Sequence, residues 1–539
     1  MRSARWRTAV AVGVSASFLL AACGSDSKSS DTTAAPTTAG AATTAAGATT
    51  TAGGAETTAK AATTTAAKPA ASTAGSTAST AGAGSGAEQV DPGSKSPPPS
   101  GVGLIDGVYK GTSGFELDPK ACPADWDPKQ GITDTDINLF MSLPTSGPLA
   151  GFGLLADGAK AYFKYINDNG GVDGRNINLD IKDDAYKPDQ TKTNVDEAMQ
   201  SKKYANLFVT LGTPNNLAVW DETNDECMPQ LLNGTGAAQW GDVDGHPWTT
   251  GMQLDYFTAA SLWAKWLEKE HPDKKKVAEL TFNSDFGQSY HNGFAYAIKG
   301  TDIKVVDQEN HEPTAPNLDN QFTTLANSGA DVLLLETSGA FCTQAMAAVE
   351  KQTTWKPLVI MSGTCGSIAQ FFKPLVDQGL SGADTRIIQT FKDVNDPALA
   401  DDPIVQLYQK TITEAGLDPK QTTYATGWIF AWFMVDILKN AATYEGGLDR
   451  GNIMLAARNI QETNPLLIPG LENIVDGTKD AYTVEGGQMV NYTVKDKTQL
   501  GTFVPDGDLI NLEGELGTYA TVTKALASTS GAATTTSTG

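Results

Sequence analysis

Basic charge is scarce in this chain. Its 39 lysines and arginines face 62 aspartates and glutamates, for a net charge of −23. A protein of that sign is repelled by phosphate backbones, so no nucleic-acid partner is expected. Histidine is scarcer still. His246, His271, His291 and His311 are the only four, and they are scattered. No H-E-x-x-H zinc pair, no G-x-x-x-x-G-K-[ST] phosphate loop and no G-x-S-x-G nucleophile elbow occurs. The adjacent carboxylates Asp183 and Asp184 supply too few oxygens for calcium by themselves. The expectation is a non-enzyme without catalytic residues, metal or cofactor. Long apolar runs are missing too. The stretch 424–439 is rich in aromatics but interrupted by Asp436, which suits a core helix better than a membrane span.

What is present begins with a leader. Arg2, Arg5 and Arg7 precede an apolar run over residues 9–22, too short to span a membrane as a mature helix. The run ends in Leu20-Ala21-Ala22-Cys23-Gly24, which resembles the bacterial lipobox. That resemblance implies a signal peptide over 1–23, cut before Cys23, with Cys23 then carrying lipid as the only membrane attachment. Residues 24–100 are almost all Ala, Thr, Gly and Ser and close on Pro97-Pro98-Pro99. Such a composition buries too little apolar surface to fold. It reads as a tether with a root-mean-square span of roughly 50 Å. Residues 526–539 read as a second disordered tail.

The globular part starts with an irregular segment, 101–131, and then becomes regular. Ile137, Leu139, Met141 and Leu143 form an apolar run that stops at Pro144-Thr145-Ser146-Gly147-Pro148. Leu154, Leu155, Ala159, Tyr162, Phe163 and Ile166 then share one helical face, and Asn169-Gly170-Gly171 ends it. Ile177, Leu179 and Ile181 alternate with polar residues up to Asp183-Asp184. Strand, helix and strand make a βαβ unit, hence a parallel sheet.

This stretch resembles the solute-binding proteins of branched-chain amino acid ABC transporters, the Leu/Ile/Val-binding family. The resemblance rests on Leu143-Pro144-Thr145-Ser146-Gly147-Pro148-Leu149-Ala150-Gly151 and on Ile166-Asn167-Asp168-Asn169-Gly170-Gly171-Val172-Asp173-Gly174-Arg175. One extra residue sits between Thr145 and Gly147. A second βα series begins with an amphipathic helix at 256–270 and runs to a strand at 386–390. Two such series point to two doubly wound α/β lobes. The resemblance implies a hinge between them, with lobe I formed by 132–255 with 391–440 and lobe II by 256–390 with 441–525. It covers roughly residues 132–525.

Ser146-Gly147, Thr213-Pro214, Ser338-Gly339 and Thr364 to Ser367 each sit between a buried strand and a helix start. Free N–H groups and the positive helix end gather there, where open α/β sheets bind ligands. The resemblance adds Gly212, Thr213 and Asn215, then Gly234, Thr235 and Gly236, as contacts for an amino-acid head. It also adds Phe286 (where the family has a D-Y-G tyrosine), Phe341 and Thr364, and Tyr424 is a further cleft candidate. The acid that often meets a ligand ammonium is missing near Thr364-Cys365, which puts α-amino acids in question. Cys122, Cys227, Cys342 and Cys365 allow three pairings. Cys342–Cys365 is favoured, as both follow neighbouring strands, and Cys122–Cys227 remains by elimination. The expected function is capture of a small polar solute, an amino acid or a related amide or carboxylate. An exported, lipid-anchored monomer would then deliver it to an ABC permease. The alternative is a ligand-sensing ectodomain acting with a separate membrane receptor.

Overall fold

The computed structural model describes residues 99–530, the side chains of 528–530 excepted. Cys23, the signal peptide, the tether up to residue 98 and the end of the tail from 531 lie outside the described residues. The tail's start at 526 falls inside a helix, Tyr519–Ser530.

Two parallel sheets organise the chain. The first runs Asn176–Asp183, Asp136–Leu143, Asn206–Phe208, Gln230–Asn233 and Thr249–Gly251, from edge to edge. Neighbours pair parallel throughout, with Leu139 opposite Leu179. Only alternate residues of the edge strand Asn176–Asp183 are buried, whereas Gln230–Asn233 is buried throughout. That difference is the signature of edge and interior positions. The second sheet runs Lys304–His311, Lys276–Phe282, Val332–Glu336, Leu358–Met361 and Thr385–Gln389 in parallel. Gly486–Thr493 and Thr502–Asn511 then close that sheet as an antiparallel edge. The fold is the expected two-lobed α/β architecture.

In the first lobe, helix Leu154–Asp168 crosses helix Thr423–Thr443 at van der Waals distance. A Cβ on Gly158 would stand 2.1 Å from the Tyr424 carbonyl oxygen, and one on Gly427 would stand 1.9 Å from that of Leu155. Only glycine permits that approach, and it brings the start of the second helix to the space between the lobes. Among the described residues, no helix is long and apolar enough to cross a membrane.

Two stretches differ from expectation. Residues 101–131 are irregular only in part: Gly103–Ile105, Val108–Lys110 and Glu116–Leu117 form an antiparallel sheet, and residues 122–131 follow as turns. Its Tyr109 hydroxyl donates to Asp449 Oδ2 at 2.9 Å, and its Leu104 N–H donates to the Glu445 carbonyl at 2.7 Å. Residues 441–466 are expected in the second lobe, yet Leu448, Ile453, Leu455 and Ile460 pack in the first core. Helix Arg450–Ala457 follows the long helix directly and lies on it, so its apolar face is covered there. The chain passes between the cores near Met252–Leu254, between Ile388 and Val394, and again between Leu466 and Val484.

Candidate functional site

A cavity of about 280 Å³ lies between the lobes. Its first-lobe wall is built where strands stop and helices begin. Gly212 has φ +100°, and a Cβ there would stand 2.5 Å from the Tyr186 ring. It caps helix Thr213–Asp225, whose first N–H groups have no partner within the helix. The Asn216 side-chain amide donates to the Thr210 and Gly212 carbonyls at 2.7 and 2.9 Å and so locks the turn. The hydroxyls of Thr213 and Thr235, from successive strand ends, lie 2.5 Å apart. Both threonines are buried, and both line the cavity.

The second-lobe wall is aromatic with a chain of hydroxyls behind it. Tyr290 is stacked between Tyr256 and Trp263, with ring centroids at 4.7 and 4.8 Å. Its hydroxyl lies 2.9 Å from Ser362 Oγ, which lies 2.9 Å from Thr364 Oγ1. Thr364 in turn donates to Ser338 Oγ at 3.2 Å. Phe286 meets Tyr256 edge to face at 4.8 Å. Leu149, Phe152, Met252, Phe371, Ile388 and Ile429 complete an apolar surround.

The lobes touch across the cavity's rim. The Ala340 N–H donates to the Pro148 carbonyl at 3.4 Å, Ser367 Oγ to Gln421 Oε1 at 3.0 Å, and Thr423 Oγ1 to Gln370 Oε1 at 2.7 Å. Among the lining residues the sole carboxylate is Asp393, whose pKa burial pushes up. The sole cation, Lys392, is already tied to Asp402 and to the Pro465 carbonyl, each at 2.8 Å. Inside, therefore, hydroxyls, N–H groups and side-chain amides, among them the unpaired Gln253 Oε1, are the available polar partners.

Of the residues singled out from sequence, Gly212, Thr213, Gly234, Thr235, Phe286, Ser338, Thr364 and Ser367 line this cavity. Ser146, Gly147, Asn215, Gly236, Phe341 and Tyr424 do not, each for a local reason. Ser146 donates to Asp183 Oδ2 at 2.6 Å on the exposed outer turn, where Gly147 also lies. Against a burial cost, hydrogen bonds from Ser146, Ala185 and Thr145 hold Asp183 down to about 2. Asn215 turns away, donating to Thr191 Oγ1 at 2.7 Å in a buried network that ends on Asp184. Gly236 is spent on packing, since a Cβ would come within 2.6 Å of the Leu254 carbonyl oxygen. Phe341 fills the second core against His311 and Phe282, at 4.4 and 5.9 Å. Tyr424 gives its backbone to the helix crossing, while its neighbours Thr423 and Ala425 face the cavity.

Sequence reasoning missed Tyr186, Tyr256, Tyr290 and Phe371. Tyr290 was accessible, because it lies one helical turn beyond Phe286 and so shares its face. Phe371 was not, because Ile368–Phe372 is a π-helical turn with no ordinary periodicity. The two expected disulfides, Cys122–Cys227 and Cys342–Cys365, are both formed.

A sequence profile described as "periplasmic binding protein" matches residues 137–489. The chain belongs to that family. Solved structures share its fold at low identity. A fatty acid ABC transporter substrate-binding protein from Thermomonospora curvata is 20% identical with a TM-score of 0.59, over 73% of this chain and 96% of that one. A branched-chain amino acid ABC transporter protein from Thermus thermophilus, with bound valine, is 17% identical with a TM-score of 0.60, over 71% and 98%. An R. palustris solute-binding protein in complex with 4-hydroxybenzoate is 17% identical with a TM-score of 0.58, over 69% and 96%. No curated protein matches the sequence. Members of this family are solute-binding proteins rather than enzymes, and they work outside the cytoplasm.

Proposed function

We propose that this chain captures a small carboxylic acid with an apolar body and hands it to an ABC permease. The observation that carries the reading is the composition of the cavity: an apolar and aromatic surround with one paired-threonine patch at a helix start. Apolar walls with a few convergent polar groups are how small-molecule sites fix orientation. Helix-start N–H groups and hydroxyls can bind a carboxylate without a lysine or arginine. For an α-ammonium group the lining offers one carboxylate, Asp393, whose charged form burial disfavours, and the neutral Gln253 amide oxygen. Aliphatic and aromatic monocarboxylates should therefore raise the thermal midpoint more than α-amino acids of the same size. A ligand at 100 times its dissociation constant adds about 2.7 kcal/mol of stability. A screen in which only α-amino acids shift the midpoint would reject this assignment.

The delivery step supports an anchor on the outer face of the membrane, and Cys23 is its proposed lipid site. Stable anchoring takes two acyl chains, since one gives marginal binding. Cys23→Ala should abolish metabolic labelling with radioactive palmitate and release the protein from the membrane fraction. Labelled, membrane-bound Cys23→Ala protein would show that the anchor lies elsewhere.

A further inference from the structure

The chain's third passage between the lobes carries a group of acids that the solute cavity does not use. Asp480 lies on the stretch leaving the first core, where its N–H and carbonyl pair with Asp476. Glu485 stands immediately before strand Gly486–Thr493 of the second sheet. Glu513 follows the neighbouring strand, Thr502–Asn511. These elements bring one carboxylate oxygen from each of the three within 4.8 Å of the others.

Acidic groups often cluster without purpose, but Glu485 is different. It is 1% exposed, and only its Oε2 is engaged, accepting from the Gly514 N–H at 2.5 Å. Its Oε1 is buried without any hydrogen-bond partner, as is Oε1 of Glu513. A buried carboxylate oxygen left unpaired is destabilising unless something outside the chain satisfies it. Among the described residues, no lysine, arginine or histidine forms an ion pair with any of the three. Asp480 and Glu513 are only half-buried, so one side of the group remains open to solvent.

We infer that Asp480, Glu485 and Glu513 bind one hard divalent cation, calcium. Oxygen is the ligand atom such ions prefer, and calcium takes six to eight oxygens at about 2.3–2.6 Å. Carboxylate oxygens no more than 4.8 Å apart are close enough to share one such ion. Magnesium demands near-ideal octahedral geometry and dehydrates reluctantly, so a three-carboxylate group of this kind suits calcium better. Three carboxylates and a few waters from the open side complete the shell. The ion would join Asp480 to the rim of the second sheet and stiffen one of the three passages between the lobes.

Calorimetric titration of the EDTA-treated full-length chain with calcium chloride tests the site. One site with a dissociation constant on the order of 10⁻⁴–10⁻³ M is expected, as for extracellular calcium modules, with magnesium weaker. Calcium should also raise the thermal midpoint by about 2–4 °C. Glu485→Gln should weaken calcium binding at least tenfold (about 1.4 kcal/mol) while circular dichroism stays unchanged. Asp480→Asn, at a half-exposed position, should do the same if Glu485→Gln fails to fold. No saturable calcium binding up to about 10 mM, tenfold above the expected range, would overturn the inference. So would binding that neither substitution alters.

Discussion

Replacing Cys122 and Cys227 together by serine is expected to lower the unfolding free energy by about 4–5 kcal/mol. The bridge closes a loop of sequence separation 105, against 23 for Cys342–Cys365. In the chain-entropy account a cross-link restrains the unfolded chain more as its loop lengthens, so the short bridge is worth about 3 kcal/mol. The surroundings of the long bridge enlarge the difference. The Trp126 indole N–H donates to the Cys227 carbonyl at 3.0 Å, and Arg450 Nη2 donates to the same carbonyl at 2.9 Å. The Arg450 guanidinium also lies 5.4 Å from the Trp126 ring centroid. Arg450 is almost fully buried, so loosening this corner would strand a buried charge among partners that have moved. Urea unfolding followed by tryptophan fluorescence should show the larger loss for the Cys122/Cys227 double variant. A larger loss for Cys342/Cys365 would mean that native packing, and not loop length, sets the contribution of each bridge.

The same corner shows where sequence reading stops. The βαβ unit was legible because Ile137, Leu139, Met141 and Leu143 and the helical face from Leu154 to Ile166 each obey one period, and the structure buries all of these but Leu154, which is half-buried. The antiparallel sheet over 103–117 was not, because its strands are two or three residues long and set no period. Its stability comes from docking on Glu445 and Asp449, more than 300 positions away in the chain. The return of 441–466 to the first lobe was hidden for a related reason. Helix Arg450–Ala457 is buried on every side, so its sequence identifies a core element without saying which core. At the cavity, strand-end turns marked lining residues such as Thr213, Thr235, Ser338 and Thr364, since the topology itself puts those turns together. Side-chain direction was beyond that logic. Ser146 and Thr213 occupy equivalent strand-end turns, yet one hydroxyl faces Asp183 outside and the other faces Thr235 within.

That contrast gives the sharpest test of the proposed site. Thr213→Val should weaken binding of the carboxylate identified by thermal shift by about 1.5–3 kcal/mol, roughly 10- to 150-fold, the contribution of a hydrogen bond to a charged partner. The helix start should survive, because Gly212 occupies the cap position and the Thr213 hydroxyl caps nothing. Ser146→Ala should leave affinity unchanged, since its hydroxyl serves only the exposed Asp183 turn. Phe286→Ala is a poor probe despite its place on the wall. Phe286 is 4% exposed and belongs to the second core, so truncation should cost about 3–5 kcal/mol of stability along with any affinity. Phe286→Leu keeps most of that volume and reports on the ring face alone. Titration calorimetry on the three variants, each checked for an unchanged unfolding midpoint, separates the possibilities. If Ser146→Ala weakens binding as much as Thr213→Val does, the solute sits on the outer turn, and the enclosed cavity is not its site.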